Sequence, residues 1–195
     1  MTAIEREWTA MATAIPAEAQ AVLDFWFGEA GPANWFAKDE NFDAQIRERF
    51  ASTYRRAYDG DLGEWIQSAA GCLALMIVLD QFPRNMFRGE PRAFATDPHA
   101  RILLRHVLDM GYDRQLDTRQ RQFIYMPLQH SEAPGDQELS VTLNRTLDDE
   151  NVLKYAIAHK DIIDRFGRFP HRNAILGRES TLEELKFLTR PGSSF

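Results

Sequence analysis

Three short segments of this sequence carry side chains that could bind or transform a ligand. The first, Asp80-Gln81-Phe82-Pro83-Arg84-Asn85, directly follows the most apolar stretch of the chain. The second is Pro127-Leu128-Gln129-His130-Ser131-Glu132, and the third is Phe169-Pro170-His171-Arg172-Asn173. Carboxylates, imidazoles and guanidinium groups are the side chains most used in acid–base catalysis and anion binding. Each segment is therefore a candidate for chemistry.

The first segment places an acid at the carboxyl end of an apolar helix, where the helix dipole disfavours negative charge. Asp80 therefore needs a compensating cation, and Arg84 is close enough along the chain to supply it. Two interpretations stay open. Asp80 and Arg84 could brace a turn at which Pro83 ends the helix, or they could face a ligand together with Asn85.

The second segment could bring an imidazole and a carboxylate to the mouth of one pocket, since His130 and Glu132 are two residues apart. Histidine titrates near neutral pH, which suits general acid–base catalysis. In the plainer interpretation His130 donates to a backbone carbonyl while Glu132 is solvated. The candidate catalytic residues are His130, Glu132 and His171. Metal ligands on a helix are usually three or four residues apart, so we predict no metal site.

The third segment echoes the first, because each has a Phe-Pro turn followed by an arginine and an asparagine. A guanidinium group offers five donors in a planar fork that suits carboxylate or phosphate. If the two corners face each other, they form an anion pocket; back to back, they only tie loops together. The candidate ligand-binding residues are Asp80, Arg84, Asn85, Arg168, Arg172 and Asn173.

The elements that must position these residues are helices, because apolar residues recur at helical spacing and never alternate with a sustained period of two. The pattern predicts an all-α protein of seven or eight helices, in one domain over residues 1–195 with its core at about 16–190. Residues 62–79 are predicted to form the central helix, because its last turns are apolar all round. We expect Gly28 to stop the first helix and Pro127 to bend or end a later one.

Two helix starts have recognisable capping patterns. Asp97-Pro98 predicts an N-cap followed by proline at the first helical position. Ser180-Thr181-Leu182-Glu183 matches a capping box that opens a short last helix. The first dozen residues and residues 192–195 are expected to fray.

Composition limits the partners. The net charge of −6 is uneven, with basic islands at residues 81–92 and 165–178 in an otherwise acidic chain. This distribution argues against broad nucleic-acid binding but suits a small anion. No apolar stretch approaches the ~20 residues that span a bilayer, and the acidic N-terminus does not resemble a signal peptide. With the single cysteine Cys72, we expect a cytoplasmic protein without disulfides or membrane contact.

Taken together, the motifs DQFPRN, PLQHSE and FPHRN resemble the signatures of an uncharacterised bacterial and fungal family of unknown function. The resemblance runs from about Ala21 to Leu188. It implies a tetratricopeptide-repeat-like array of antiparallel helix pairs with a concave face. It implies no activity.

Three functions follow from these observations, in this order. The first is a module that binds a small anion or the carboxylate end of a peptide. The second is a hydrolase or transferase in which His130 or His171 is the acid–base group, Glu132 or Asp80 orients it, and arginines stabilise negative charge. The third is a protein–protein scaffold. No phosphate-binding glycine loop or nucleophile motif is present, and we predict no cofactor. If the three segments converge in an open pocket, a histidine with a free ring nitrogen facing the cavity would favour an enzyme, and one held by two partners would favour binding; the oligomeric state stays open.

Overall fold

The computed structural model describes residues 15–194, and within this range every regular element is a helix. The all-α prediction is confirmed, and eight α-helices of the described chain have seven residues or more. The predicted fraying of the first dozen residues lies outside the described range. No helix in the described range is both long enough and apolar enough to cross a bilayer.

The α-helices, in chain order, are α1 (Ala17–Leu23), α2 (Pro32–Trp35), α3 (Glu40–Asp59), α4 (Ala69–Met76), α5 (Phe82–Met86), α6 (Asp97–Asp109), α7 (Thr118–Gln129), α8 (Pro134–Arg145), α9 (Glu150–Phe166) and α10 (Leu182–Leu188). Two π-helical segments, Asp24–Ala30 and Ile77–Gln81, continue α1 and α4. Short 3₁₀ helices are Gly63–Gln67, Pro91–Phe94, Tyr112–Gln115 and Pro170–Arg172.

The first helical segment extends beyond Gly28, the residue predicted to end it. Gly28 lies inside the π-helical continuation of α1, so the prediction that it stops the helix is wrong. The helical path ends instead at Gly31, whose φ of 65° is a left-handed value that glycine adopts at little cost.

The predicted central helix is buried as expected, but its bounds differ. Residues 72–79 are all buried. The helix begins at Ala69, because the Ser68 hydroxyl caps it by accepting from the Gly71 amide at 3.1 Å. It then continues through the π-helical turn into α5, so Pro83 does not end it. Proline is tolerated at this position because it lies in the first turn of α5, next to a π-helical turn in which the regular α-helical hydrogen bonds are already interrupted.

Three other local predictions need correction. Pro127 lies inside α7, which continues to Gln129, so Pro127 does not end the helix. Thr96, and not Asp97, precedes α6, so the carboxylate of Asp97 is free for another role. The capping box of α10 is formed by Thr181 and Glu184, one residue later than predicted.

The core has a large and a small cluster. In the large one, the indole of Trp26 meets the edges of Phe82 and Phe123 at 5.8 and 5.7 Å between ring centres. The small cluster contains Ile162, Ile163 and Phe169, with Phe166 and Phe187 packed against it. The polar segments at the ends of α4, α7 and α9 lie between helices that these two clusters hold in place.

Candidate functional site

Side chains from all three predicted segments meet in one buried cluster. Asp80, at the end of the π-helical turn, contacts His130, which directly follows α7. Arg84 of α5 lies within 3.4 Å of Asp80, and Arg172 donates to the backbone carbonyl of His130 at 3.0 Å. These four residues come from positions up to 92 apart in the sequence. We call them, with Asp97, the ionic cluster.

The shortest contact in the ionic cluster joins a carboxylate to an imidazole. Nδ1 of His130 lies 2.8 Å from Oδ1 of Asp80. Asp80 is fully buried, and its second carboxylate oxygen accepts from the side-chain amide of Gln81. Within the described residues, Nε2 of His130 has no hydrogen bond, and the side chain is 15% exposed. The imidazole is therefore held at Nδ1 by Asp80, and Nε2 is its unbonded nitrogen within the described residues.

The electrostatics of this pair favour an ionised acid and a neutral imidazole. Burial alone would raise the pKa of Asp80, but Arg84, His130 and Gln81 outweigh it and hold that pKa at about 2. Burial and the charge of Arg84 lower the pKa of His130. Because an ionised carboxylate can only accept, Nδ1 of His130 carries the proton and Nε2 carries the lone pair at neutral pH.

Asp97 links the two arginines and was not predicted as a site residue. Its carboxylate lies 3.0 Å from Nη1 of Arg84 and 3.8 Å from Nη1 of Arg172. The sequence pattern predicts that Asp97 is an N-cap, and this interpretation gives no reason to expect ion pairs with Arg84 and Arg172. The signal that could have found it is an acid only five residues beyond the basic island of residues 81–92.

Arg172 is the least compensated cation of the cluster. Its guanidinium carbon lies 4.5 Å from the ring centre of Phe169 and 4.7 Å from that of Phe94. Burial and the nearby charge of Arg84 lower the pKa of Arg172 to about 10. Its Nε is buried and has no hydrogen-bond partner among the described residues.

Glu132 has different partners from those expected for an acid–base pair with His130. Both of its carboxylate oxygens accept from Arg178, at 2.7 and 2.9 Å, and one also accepts from the amide of Phe169. Burial would raise the pKa of Glu132, but these donors lower it. Glu132 thus ties the segment after α7 to the third segment, and Arg178 is a partner that the sequence did not identify.

The other candidate ligand-binding side chains bond to structural partners. Asn85 donates to Asp43, which also accepts from Arg88. Asn173 donates to the hydroxyl of Ser180 at 3.0 Å. Arg168 binds both carboxylate oxygens of Glu184, whose pKa is lowered to about 2, first by this arginine. In these bonds, Asn85, Asn173 and Arg168 brace helix ends.

Two further histidines lie near the ionic cluster. The ring of His159, on α9, is 6.3 Å from that of His130 and 5.7 Å from that of Phe169. The ring of His171 also contacts Phe169, at 5.6 Å between ring centres. Burial is the main cause that lowers the pKa of His159 to about 3 and that of His171 to about 4. Both imidazoles are neutral at physiological pH, and His159 was not singled out from the sequence.

The neighbouring hydroxyl is already engaged. Ser131 donates to Asp136 at 2.6 Å and accepts from the amide of Ala133. It is 2% exposed, so it is not available as a nucleophile. No group of three or more potential metal ligands occurs among residues 15–194.

An open apolar groove of about 370 Å³ is lined by other residues. Leu75, Leu79 and Leu103 contribute to its surface, and His99 and His106 are its two imidazoles. None of the predicted site residues lines this groove. The ionic cluster is instead reached through the partly exposed side chains of Arg84 and His130, at 20% and 15% exposure.

The fold and this cluster define an all-helical protein with a buried carboxylate–histidine–arginine centre. Residues 22–192 match the model of a family described as "Bacterial protein of unknown function (DUF924)", and the chain belongs to this family. The structure is similar to that of ATU0120, a protein of unknown function from Agrobacterium tumefaciens. The two sequences are 43% identical, the TM-score is 0.85, and the match covers 88% of this chain and 97% of the other. No curated protein matches the chain.

Membership in a family of unknown function confirms the resemblance at that level. The tetratricopeptide-like arrangement of helix pairs stays a prediction.

Proposed function

We propose that this protein is an enzyme in which His130 acts as the general base and Asp80 orients it. The observation that carries the proposal is the 2.8 Å contact between Asp80 and Nδ1 of His130, together with the unbonded Nε2. A buried carboxylate that accepts from one imidazole nitrogen fixes the tautomer of the ring. The other nitrogen then carries the lone pair and can accept a proton. A free ring nitrogen facing a cavity is expected of an enzyme and not of a binding module, and the unbonded Nε2 of His130 supports the first of these.

The reaction that suits this centre is hydrolysis at an acyl or phosphoryl group. Nε2 of His130 takes a proton from water while the water oxygen attacks the electrophilic centre. The imidazolium then returns that proton to the leaving group, so the base is regenerated. Asp80 stabilises the imidazolium, and Arg84 and Arg172 offset negative charge that develops nearby. No covalent intermediate is needed, which agrees with the engaged hydroxyl of Ser131.

The test is a turnover screen on wild type and His130→Gln. The panel contains p-nitrophenyl acetate, p-nitrophenyl butyrate, p-nitrophenyl phosphate and γ-butyrolactone. We expect hydrolysis of one member or more by the wild type, and a loss of about 10²-fold or more in His130→Gln, the usual contribution of a general base. His99→Gln, at an exposed imidazole of α6, is the matched control and should retain activity.

Two results would contradict the proposal. One is turnover that is equal in wild type and His130→Gln. The other is the absence of turnover on the whole panel together with a His130 that fails to react with diethyl pyrocarbonate, since a free Nε2 should be carbethoxylated.

A binding module without turnover is the second candidate. The observation in its favour is Arg172, a cation with an unbonded Nε that two aromatic rings hold in place. This reading predicts that a small anion raises the melting temperature of wild type and of His130→Gln equally, with no product formed by either.

A further inference from the structure

We propose that the Nε–Nη2 edge of Arg172 is the subsite for a carboxylate group of the ligand. The proposal rests on the proposed function, because it places the substrate's anionic group beside the base His130. It deepens that function by naming a substrate class, carboxylate-bearing molecules.

The first argument is the hydrogen-bonding state of the guanidinium. Within the described residues its one hydrogen bond runs from Nη1 to the carbonyl of His130, and Nη1 also faces Asp97. Nε is buried without a partner, and Nη2 has no hydrogen bond either. Nε and Nη2 form the side of a guanidinium that binds two oxygens in parallel. Leaving a buried charged donor unbonded costs free energy, and an acceptor from a ligand would remove that cost.

The second argument is how firmly the group is held. Arg172 is 6% exposed and lies against the rings of Phe94 and Phe169. Such contacts fix the plane of the guanidinium before a ligand binds. A surface arginine, in contrast, loses rotamer freedom on binding. A preorganised donor pair therefore meets the ligand.

The third argument is charge, and it selects a monoanion. Two carboxylates, Asp80 and Asp97, face two guanidinium groups, Arg84 and Arg172, so the ionic cluster is close to neutral. Burial is the main cause that lowers the pKa of Arg172 to about 10, and the charge of Arg84 is the second. A carboxylate brings one negative charge next to Arg172, whereas a phosphate dianion brings two and faces about twice the repulsion from Asp97 and Asp80. A carboxylate is thus favoured over phosphate.

The experiment measures the binding of acetate, benzoate and inorganic phosphate to the full chain by NMR titration at pH 7. We expect acetate and benzoate to shift the Nε–H signal of Arg172, and to bind more tightly than phosphate. Arg172→Lys keeps the charge but lacks the two-donor edge, so carboxylate affinity should fall about tenfold or more. Arg88→Lys is the matched control, because Arg88 also pairs with a buried carboxylate, Asp43, and should leave affinity unchanged.

Separate outcomes distinguish this inference from the proposed function. His130→Gln should lose turnover but keep carboxylate binding, since Arg172 contacts only the backbone of His130. Tighter binding of phosphate than of carboxylates would overturn the assigned ligand class. Carboxylate binding that is unchanged in Arg172→Lys would overturn the subsite. If Arg172→Lys does not fold, an Nε–H signal of wild-type Arg172 that stays unshifted at saturating benzoate would overturn it equally.

Discussion

At the scale of single residues, the molecule uses arginine in two ways that sequence alone does not separate. Arg88 and Arg168 bind buried carboxylates and hold helix ends in place. Arg84 also has two carboxylate partners, but these belong to the ionic cluster. The buried Nε atoms of Arg172 and Arg178 have no partner in the described chain. Arg178 still binds Glu132 through both of its Nη groups, whereas the carboxylate of Asp97 lies 3.8 Å from Arg172. We propose that ligand binding at this centre uses the donors of Arg172 that the fold leaves unbonded.

Arg84→Ala is expected to lower the free energy of unfolding by about 3–5 kcal/mol, the usual effect of removing one partner of a buried ion pair. The change leaves the fully buried Asp80 without its closest cation. Chemical denaturation measures the effect. Arg92→Ala is the control, because Arg92 and its partner Glu90 are both at least half exposed and should change stability by no more than about 0.5 kcal/mol. Equal stability of both variants would contradict the buried pairing.

The buried histidines predict a loss of stability in mild acid. The folded pKa values of His159 and His171, about 3 and about 4, lie below the ordinary value of 6.5, mainly because of burial. The unfolded chain therefore binds more protons as pH falls below 6.5, and stability decreases with a slope of up to about 1.4 kcal/mol per pH unit for each group. Carboxylates with lowered pKa values contribute only nearer pH 4, so denaturation between pH 7 and pH 5 isolates the histidines.

The control for this pH dependence is His159→Gln, which cannot titrate. It should flatten the slope of stability against pH between 6.5 and 5. An unchanged slope in this variant, or a wild-type stability that is constant over this range, would show that the imidazole of His159 is not kept neutral by the fold.

At the scale of elements, the apolar pattern predicted the helices and their burial, but not where their geometry departs from an ideal α-helix. The spacing of apolar residues around Gly28 and around residues 77–81 does not distinguish an α-helical from a π-helical turn. Asp80 lies in the second of these turns, and π-helical turns are frequent at functional sites. Likewise, Asn85 looked like a ligand-binding group, yet its partner Asp43 is 42 residues away and could not be inferred from sequence.

Ile77→Ala is expected to destabilise the protein by about 2–5 kcal/mol, as for other large-to-small changes in a closed core. Ile77 is completely buried at the start of the π-helical turn. Ile102→Ala, at a side chain that is 64% exposed, should have little effect on the denaturation midpoint. Similar midpoints for wild type and Ile77→Ala would place the central helix outside the core.

The start of α4 depends on a glycine for a different reason. A Cβ atom at Gly71 would lie 2.1 Å from the backbone oxygen of Trp65, so Gly71→Ala must displace the preceding 3₁₀ helix. We expect a loss of about 1–3 kcal/mol by denaturation, typical of overpacking. Gly63→Ala, where a Cβ meets open space, is the matched control. A Gly71→Ala variant as stable as wild type would contradict this close approach.

At the scale of the whole molecule, the three polar segments come together because they lie where α4, α7 and α9 end. Sequence reasoning could propose that Asp80, Arg84, His130 and Arg172 share a site, since unpaired burial of each is costly. It could not orient them, so both Glu132 and Asp80 stayed open as the residue that orients His130. In the fold, Glu132 binds Arg178 and His130 contacts Asp80. Residues that are close along the chain, such as His130 and Glu132, need not be partners, because tertiary packing determines which side chains meet.

The measurement that tests the central claim most directly is a ¹⁵N NMR determination of the tautomer and charge of His130 at pH 7. A chain labelled in the histidine ring nitrogens, with the His130→Gln variant for assignment, resolves Nδ1 from Nε2. We predict a neutral ring with the proton on Nδ1, bound to Asp80, and an unprotonated Nε2. In Asp80→Asn this preference should weaken or reverse, because the side-chain amide can donate to Nδ1. A His130 that is doubly protonated at pH 7, or that carries its single proton on Nε2, would contradict the assignment of this residue as a general base.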